Sequence, residues 1–498
     1  MKNCKFFRKF PIVRRKKKTK KFFIFPKSMN TLKCGIFLVI FTIIHQLLVT
    51  YLLTQLPEFP DAVAPDGIPI FPYNISFGVS SAAYQIEENV PPSNWMLWEQ
   101  TTDENGKPHC PSMPLKVKGI EHFSEDVQIV KDLGCDTYRL SFSWSRINPE
   151  QDQFNDTAIE MYRNMLLELH NLGIRPLVTL WHFEHPAWLE KLGGFKSELF
   201  VSSFEKFVEY VIPKISDLCD YYHTVNEPVG IVSASLIAGI HPPGKGTAKD
   251  IFNSLVNLMS AHAKAYHIIH KYNKNAKVSY AKNLTPIIPR HKWSLFESLL
   301  AYILNYYNSV SFDVFRTGTI RFLWMKTEIP DIKNALDYIS LNHYYCLWIT
   351  INPKEWGKLN GNLVPLFSYG DDRLITSDFG WGLKSSSLAD SIRWVNKLWN
   401  PNNLSFLISE HGCADYKDNR RPWFLRESLV FLTKLRDEGI SVESYIHWSL
   451  TDNYEWAEGS NMKFGLIEIN FETYERKMKK SAELYKEIIK ANHERSSN

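Results

Sequence analysis

The amino-acid sequence predicts an α/β protein built as a single (β/α)8 barrel with a membrane anchor ahead of it. Three observations carry that prediction. Eight short runs rich in β-branched and aromatic residues alternate with longer stretches of helical period from about residue 71 to residue 489. No Gly-rich phosphate loop follows the first run, which disfavours a dinucleotide-binding sheet. Twenty residues without a formal charge, 34–53, precede all of them. A composition of 44% hydrophobic, 14% aromatic and 22% charged residues suits a well-cored globular protein and excludes a disordered one.

The N-terminal segments come first. Residues 1–33 hold thirteen Lys and Arg and no acid, so the overall charge of +5 hides a remainder of 45 basic and 53 acidic residues, a net of −8. An acidic body is unsuited to a phosphate backbone, and no nucleic-acid partner is expected. As a helix rising about 1.5 Å per residue, 34–53 reaches across the ~30 Å of a hydrocarbon core. The run is longer than the roughly 7–15 residues of a signal-peptide core, and no small-x-small cleavage site follows it, which favours an anchor. His45 and Gln46 weaken that reading, and a start at Met29 would favour a cleaved signal peptide. A buried helix is the third reading. The Lys/Arg run also has the look of a nuclear signal, but beside such a span the positive-inside rule explains it more simply. It predicts a single-pass type II protein: a cytosolic tail (1–33), a span (34–53), a linker (54–70), a lumenal or extracellular barrel (71–490) and a short tail (491–498).

Two further features bear on the compartment. Sequons at Asn74, Asn155, Asn283 and Asn403 suit a secretory route and a glycoprotein. The five cysteines of the body (Cys110, Cys135, Cys219, Cys346, Cys413) are odd in number and widely spaced, which reads as isolated buried thiols; no CxxC or His-rich spacing suggests a metal.

The expected strands are 77–83, 137–144, 175–181, 221–227, 277–283, 338–345, 404–410 and 441–450. The expected helices include 123–133, 158–172, 199–218, 251–272, 387–398 and 422–437, with 474–489 closing the chain. In a parallel barrel the chemistry sits at the C-terminal strand ends. Strand four ends in Thr224-Val225-Asn226-Glu227-Pro228 and strand seven in Ile408-Ser409-Glu410-His411-Gly412. Two carboxyl groups across a barrel mouth suit work on a glycosidic bond, one protonating the leaving oxygen and the other attacking the anomeric carbon. The remaining ends supply Gln85, Trp181, His182, Asn342, Tyr344, Trp448, Glu455 and Trp456. Aromatic faces stack on a pyranose, and amide, imidazole and carboxyl groups bond its hydroxyls. Each residue alone also fits a packing role; together they point to a sugar site.

Five ordered motifs carry a resemblance to a known family. They are Phe77-Gly78 through Ala83-Tyr84-Gln85, the run Tyr138-Arg139-Leu140-Ser141-Phe142-Ser143-Trp144-Ser145-Arg146-Ile147, the strand-four motif, Leu341-Asn342-His343-Tyr344-Tyr345, and Trp448-Ser449-Leu450-Thr451-Asp452-Asn453-Tyr454-Glu455-Trp456. Over most of its length the chain resembles glycoside hydrolase family 1, whose members are retaining β-glucosidases and β-galactosidases on (β/α)8 barrels. The resemblance implies Glu227 as acid/base and Glu410 as nucleophile, with Arg139 and Tyr344 steadying the nucleophile's charge. It implies Asn226 at the hydroxyl beside the reacting carbon and Gln85, His182, Asn342, Trp448, Glu455 and Trp456 around the sugar. No cofactor is implied.

Two departures stand out. The family's Thr-Glu-Asn-Gly is here Ser409-Glu410-His411-Gly412, and its Trp-Asp-Leu-Pro is Phe183-Glu184-His185-Pro186. Neither touches a reacting atom. The stretch 312–337 also lacks much of the family's longer loop. Relatives acting on 6-phosphorylated sugars place Ser and Lys where this chain has Glu455 and Met462, and a carboxylate there would repel a phosphate, so a neutral glucoside or galactoside is expected. Two alternatives stay open: a membrane-anchored transglycosylase resembling the plant galactolipid galactosyltransferases, suggested by Arg420-Arg421-Pro422 and the anchor, and a klotho-like binding barrel.

Overall fold

The structure, a computed structural model, describes residues 31–103, 105–359, 362–368 and 375–497; the basic tail, up to residue 30, lies outside the described residues. Eight parallel strands close into a barrel in chain order. They are β1 (Ser76–Ser80), β2 (Thr137–Ser141), β3 (Arg175–Trp181), β4 (Tyr221–Asn226), β5 (Lys277–Asn283), β6 (Ile339–Asn342), β7 (Phe406–His411) and β8 (Val442–Trp448), with β8 pairing back to β1. An apolar helix, α1 (Thr31–Gln55), precedes them. Eight more helices follow the strands in turn: α2 (Phe123–Asp132), α3 (Asp156–Asn171), α4 (Leu199–Ile215), α5 (Ala248–Tyr272), α6 (Leu295–Thr317), α7 (Ser387–Trp399), α8 (Arg421–Thr433) and α9 (Lys480–Ser497).

Local chemistry sets the helix ends. Thr247 and Asp250 form a reciprocal capping box at the start of α5, and Asn155 accepts from the Ala158 amide to open α3. Gly318 ends α6 in the left-handed region at φ 73°, where a side chain would be strained. The barrel interior is filled at its base by Leu177, Tyr338, Leu407 and Ile446. A second, larger core lies between barrel and helices and includes Leu166, Phe204, Leu258 and Leu429. The five body cysteines are buried and unpaired.

Several expected boundaries move. The first strand stops at Ser80, because Ala83–Ile86 turns helical, and the second stops at Ser141, with a short helix opening at Trp144. The closing helix begins at Lys480, since Arg476–Met478 pairs antiparallel with Ile467–Ile469. That helix runs beyond residue 490. Asn492, assigned above to a tail, is buried; it accepts from the Phe71 amide and donates to the Pro69 carbonyl, each at 2.9 Å, tying the last helix to the entry of the barrel. The periodic pattern did not single out α6, whose outward face carries Phe296, Leu299, Ile303 and Tyr306 and so lacks the polar stripe of an amphipathic helix.

The final turns of α1 pack against the barrel. Leu53 and Leu56 meet Leu300, Ala301 and Leu304 of α6 together with Ile287 and Ile349. The Trp394 indole of α7 donates to the Gln55 carbonyl at 3.1 Å. Residues Ile36–Gln55 form one helix long and apolar enough to cross a membrane, and most of its side chains are exposed.

Gly412 follows the strand-seven glutamate, and a Cβ built there would lie 2.2 Å from the Trp448 carbonyl oxygen. Gly412→Ala is therefore expected to force β7 and β8 apart and to lower stability by about 1–3 kcal/mol, as overpacking does. Thermal unfolding checks this; an unchanged Tm would mean that the two strand ends are not in close contact.

Candidate active site

Alternation along a strand places every second residue inside the barrel, and two irregularities change that count at the mouth. On β4, Tyr221 packs with the interior base cluster and His223 points inward, while Thr224 faces α5 through a 2.6 Å contact with His262. The register then shifts between His223 and Asn226, so Asn226 rather than Val225 turns inward. On β7 the register shifts between Ile408 and Glu410, which brings both Ser409 and Glu410 to the mouth. Glu227 follows directly in the left-handed region at φ 43°, a conformation that costs a non-glycine residue energy and recurs at functional positions.

Arg139 of β2, fully buried, joins these ends. It donates to Glu410 Oε1, to Asn226 Oδ1 at 2.7 Å and to His223 Nδ1 at 3.1 Å. Tyr344 donates to the other oxygen of Glu410 at 2.5 Å. Asn342 donates to Glu227 Oε1 at 2.7 Å and to Asn226 Oδ1 at 3.3 Å; its own carbonyl accepts from Ser409 at 2.6 Å. The Asn226 amide nitrogen lies 3.1 Å from His182 Nε2. The two glutamates, Arg139, Tyr344, Asn226, Asn342 and His182 thus form one bonded network.

Gln85, Glu455, Trp448 and Trp456 adjoin it. Gln85 donates to Glu455 Oε2 at 3.3 Å, to the Tyr454 carbonyl at 2.9 Å and to Asn453 at 3.2 Å. The His182 ring lies 5.8 Å from that of Trp448 and 6.1 Å from that of Trp456. Gln85 Oε1 and His182 Nδ1 are buried without a protein partner, as expected of groups that serve a hydroxylated ligand. Trp181 behaves differently: it is fully buried in a ring cluster with Phe183, Phe195 and Phe200, a packing residue rather than part of the mouth.

Electrostatics separates the carboxyl groups. Burial and the neighbouring Glu410 push Glu227 up to about 7. Burial and Glu410 push Glu455 up to about 8. Glu410 accepts from a guanidinium and a phenol, donors that stabilise a negative charge. Burial first, and then Arg139, hold His182 and His223 well below the usual imidazole range, so both are neutral. A proton on Glu455 would weaken its repulsion of a phosphate, the ground on which the sequence favours a neutral sugar.

The two departures prove to be structural positions. His411 turns away from the mouth, its Nδ1 lying 2.8 Å from the Tyr445 hydroxyl and its ring 4.8 Å from that of Phe424. Glu184 caps a short helix by accepting from the Trp144 and Ser145 amides at 2.9 and 3.1 Å, and His185 lies 2.8 Å from Glu190. Sequence reasoning missed His223, Asn453 and Lys282. Lys282 is buried beside Glu227, and burial pushes its ammonium down to about 7. A lysine inside an apolar strand was the available signal for it. For His223 the available signal was plain alternation with Tyr221, since it precedes the strand-four irregularity.

Comparison with known proteins follows the geometry. Residues 69–494 match the pattern of glycosyl hydrolase family 1. A β-glucosidase A of Acetivibrio thermocellus is 28% identical over 457 residues, covering 85% of this chain and 98% of the relative. A β-galactosidase of Saccharolobus solfataricus is 28% identical, covering 84% and 94%. The solved β-glycosidase of Pyrococcus horikoshii superposes with a TM-score of 0.75 at 29% identity, covering 86% of this chain and 96% of that one.

The protonation pattern fixes a pH dependence. A group that must carry a proton to act loses function as pH rises through its value, so kcat/KM is expected to fall as pH rises through about 7. Lys282→Met removes a cation that lowers Glu227 and is expected to move this limb to higher pH. A pH–rate profile on both proteins tests it, and an unmoved limb would separate Lys282 from Glu227.

Proposed function

Because the chain belongs to glycosyl hydrolase family 1 and is an O-glycosyl hydrolase, a retaining β-glycosidase, we propose that Glu227 and Glu410 are its acid/base and its nucleophile. The observation that carries the assignment is the contrast between them: Glu410 is held by Arg139 and Tyr344, whereas Glu227 is held by an amide and keeps its proton to about 7. In the first step Glu227 gives its proton to the glycosidic oxygen while a Glu410 oxygen bonds to the anomeric carbon, releasing the aglycone as an alcohol. Esterification removes the Glu410 charge, and with it one cause of the raised Glu227 value. Glu227 then leaves the first step as a carboxylate suited to take a proton from water. Water attacks the anomeric carbon, the ester bond breaks, and the sugar departs with its configuration retained.

Around the sugar, Gln85, His182, Asn226 and Asn342 serve the hydroxyls, Glu455 joins them, and Trp448 and Trp456 offer aromatic faces. A neutral β-glucoside or β-galactoside fits this set, and the names of the relatives support both sugars. The division of the chain is then a tail (1–33), a span (34–53), a linker (54–70) and a catalytic barrel that runs from 71 through the closing helix to 497. In this reading α1 anchors the chain as a type II protein with the barrel lumenal or extracellular, and the exposed sequons Asn74 and Asn403 suit glycosylation. A lipid-borne glycoside is a second reading of the substrate. It is favoured by one observation: Leu347, three residues beyond Tyr344, packs in the same cluster as Leu56 at the end of α1, so anchor and nucleophile support share one loop.

Incubation with a 2-deoxy-2-fluoro glycoside and peptide mass spectrometry are expected to place the sugar on Glu410. Label on another residue, or none on folded protein, would overturn the assignment. Glu227→Gln is expected to slow hydrolysis of an alkyl glycoside by about 10²–10⁴-fold. The loss should be far smaller with a nitrophenyl glycoside, whose leaving group needs no proton. Glu455→Ser is expected to weaken turnover of neutral sugars, and unchanged kinetics would remove Glu455 from the sugar site.

A further inference from the structure

The outward face of α6 is apolar where a surface helix is ordinarily polar. Phe296, Leu299, Ile303 and Tyr306 recur at helical spacing and are exposed. Trp293, just before the helix, is 73% exposed, and Trp324 is 81% exposed at the tip of the hairpin formed by Thr319–Phe322 and Met325–Glu328. Apolar stripes of this extent on a folded protein mark a contact surface.

The neighbouring element says what covers it. Leu300 and Leu304, each one residue from Leu299 and Ile303, pack against Leu53 of α1 and Leu56 just after it, so the stripe adjoins the helix whose own apolar side chains are exposed from Ile36 to Leu48. Exposed Lys292, Arg321 and Lys326 lie on the same segments as the two tryptophans. Tryptophan is enriched at both membrane–water interfaces, and the flanking Lys and Arg carry their charge at the level of the headgroups.

We propose that the outer face of α6, with Trp293 and Trp324, lies in the headgroup region of the same lipid bilayer that α1 enters. This rests on the anchoring proposed above. Two contacts then fix the tilt of the barrel, where a single helix would leave it free to swing. α6 follows β5 and α1 packs on the loops leaving β5 and β6, so the mouth side of the barrel is the side drawn toward the lipid.

Site-directed spin labelling of the full chain tests this in vesicles of phosphatidylcholine and phosphatidylserine. Cys4 and Cys34 are replaced by serine, and nitroxides are attached in turn at Leu299→Cys, Ile303→Cys, Leu47→Cys on α1 and Lys277→Cys at the opposite rim of the barrel. The accessibility to oxygen relative to a nickel chelate is expected to be several-fold higher at positions 299, 303 and 47 than at 277. If 299 and 303 match 277 while 47 reads as lipid, the inference is wrong and the anchor stands. If 47 also matches 277, the anchoring reading itself fails. Shielding of 299 and 303 from both reagents would place a protein surface there, such as a second copy of the chain, and would overturn the inference.

Discussion

The guanidinium of Arg139 is the contact on which the rest of the mouth depends. It is wholly buried, and its three donors reach Glu410 of β7 and Asn226 and His223 of β4. Taking a cation and a carboxylate out of water costs several kcal/mol per ion, so such a pair is a weak source of stability. Its effect is geometric. A planar fork with fixed directions holds two strands of the barrel in one relation, and through the Asn226 carbonyl it also fixes which way that amide faces. With its oxygen bound by Arg139 and Asn342, Asn226 presents its nitrogen to His182. Asn342 is oriented in turn by Ser409, itself bonded to Ser340, and so directs its own nitrogen at Glu227.

That chain of oriented groups explains how three carboxyl groups coexist in a buried pocket. After burial itself, Glu410 raises the cost of ionising Glu227, and Glu410 and Glu227 raise that of Glu455. Arg139 and Tyr344 converge on Glu410, while an amide serves Glu227 and another serves Glu455. Different neighbours thus give chemically identical side chains different surroundings, on which the proposed acid and nucleophile roles rest. The neutral state of His223 and His182 belongs to the same balance, because burial and then Arg139 disfavour a second cation there.

The altered motifs show where the family pattern is tolerant. His411 occupies a position directed at α8, and its ring meets Phe424 and the Tyr445 hydroxyl. Ser409 keeps the hydroxyl that orients Asn342. Glu184 caps a short helix near the mouth, and His185 contacts the Glu190 side chain. The Ser409 hydroxyl bonds the network of the mouth, whereas His411, Glu184 and His185 make their contacts outside it.

By itself the sequence determined the barrel and put forward the members of its site. Eight strand-like runs and their helices follow from hydrophobic period, and Glu227, Glu410, Arg139, Tyr344, Asn226, Asn342, His182 and Gln85 stand at strand ends in recognisable order. Tertiary structure decided what period alone cannot encode. Register shifts on β4 and β7 turn Asn226 and Glu410 inward beside Arg139, and such shifts arise from pairing with neighbouring strands. Burial among other carboxyls set the protonation of Glu227 and Glu455, a property of packing distance rather than of residue type. α6 escaped the periodic reading because its outer face is apolar, and only its place beside α1 shows which apolar surface it adjoins.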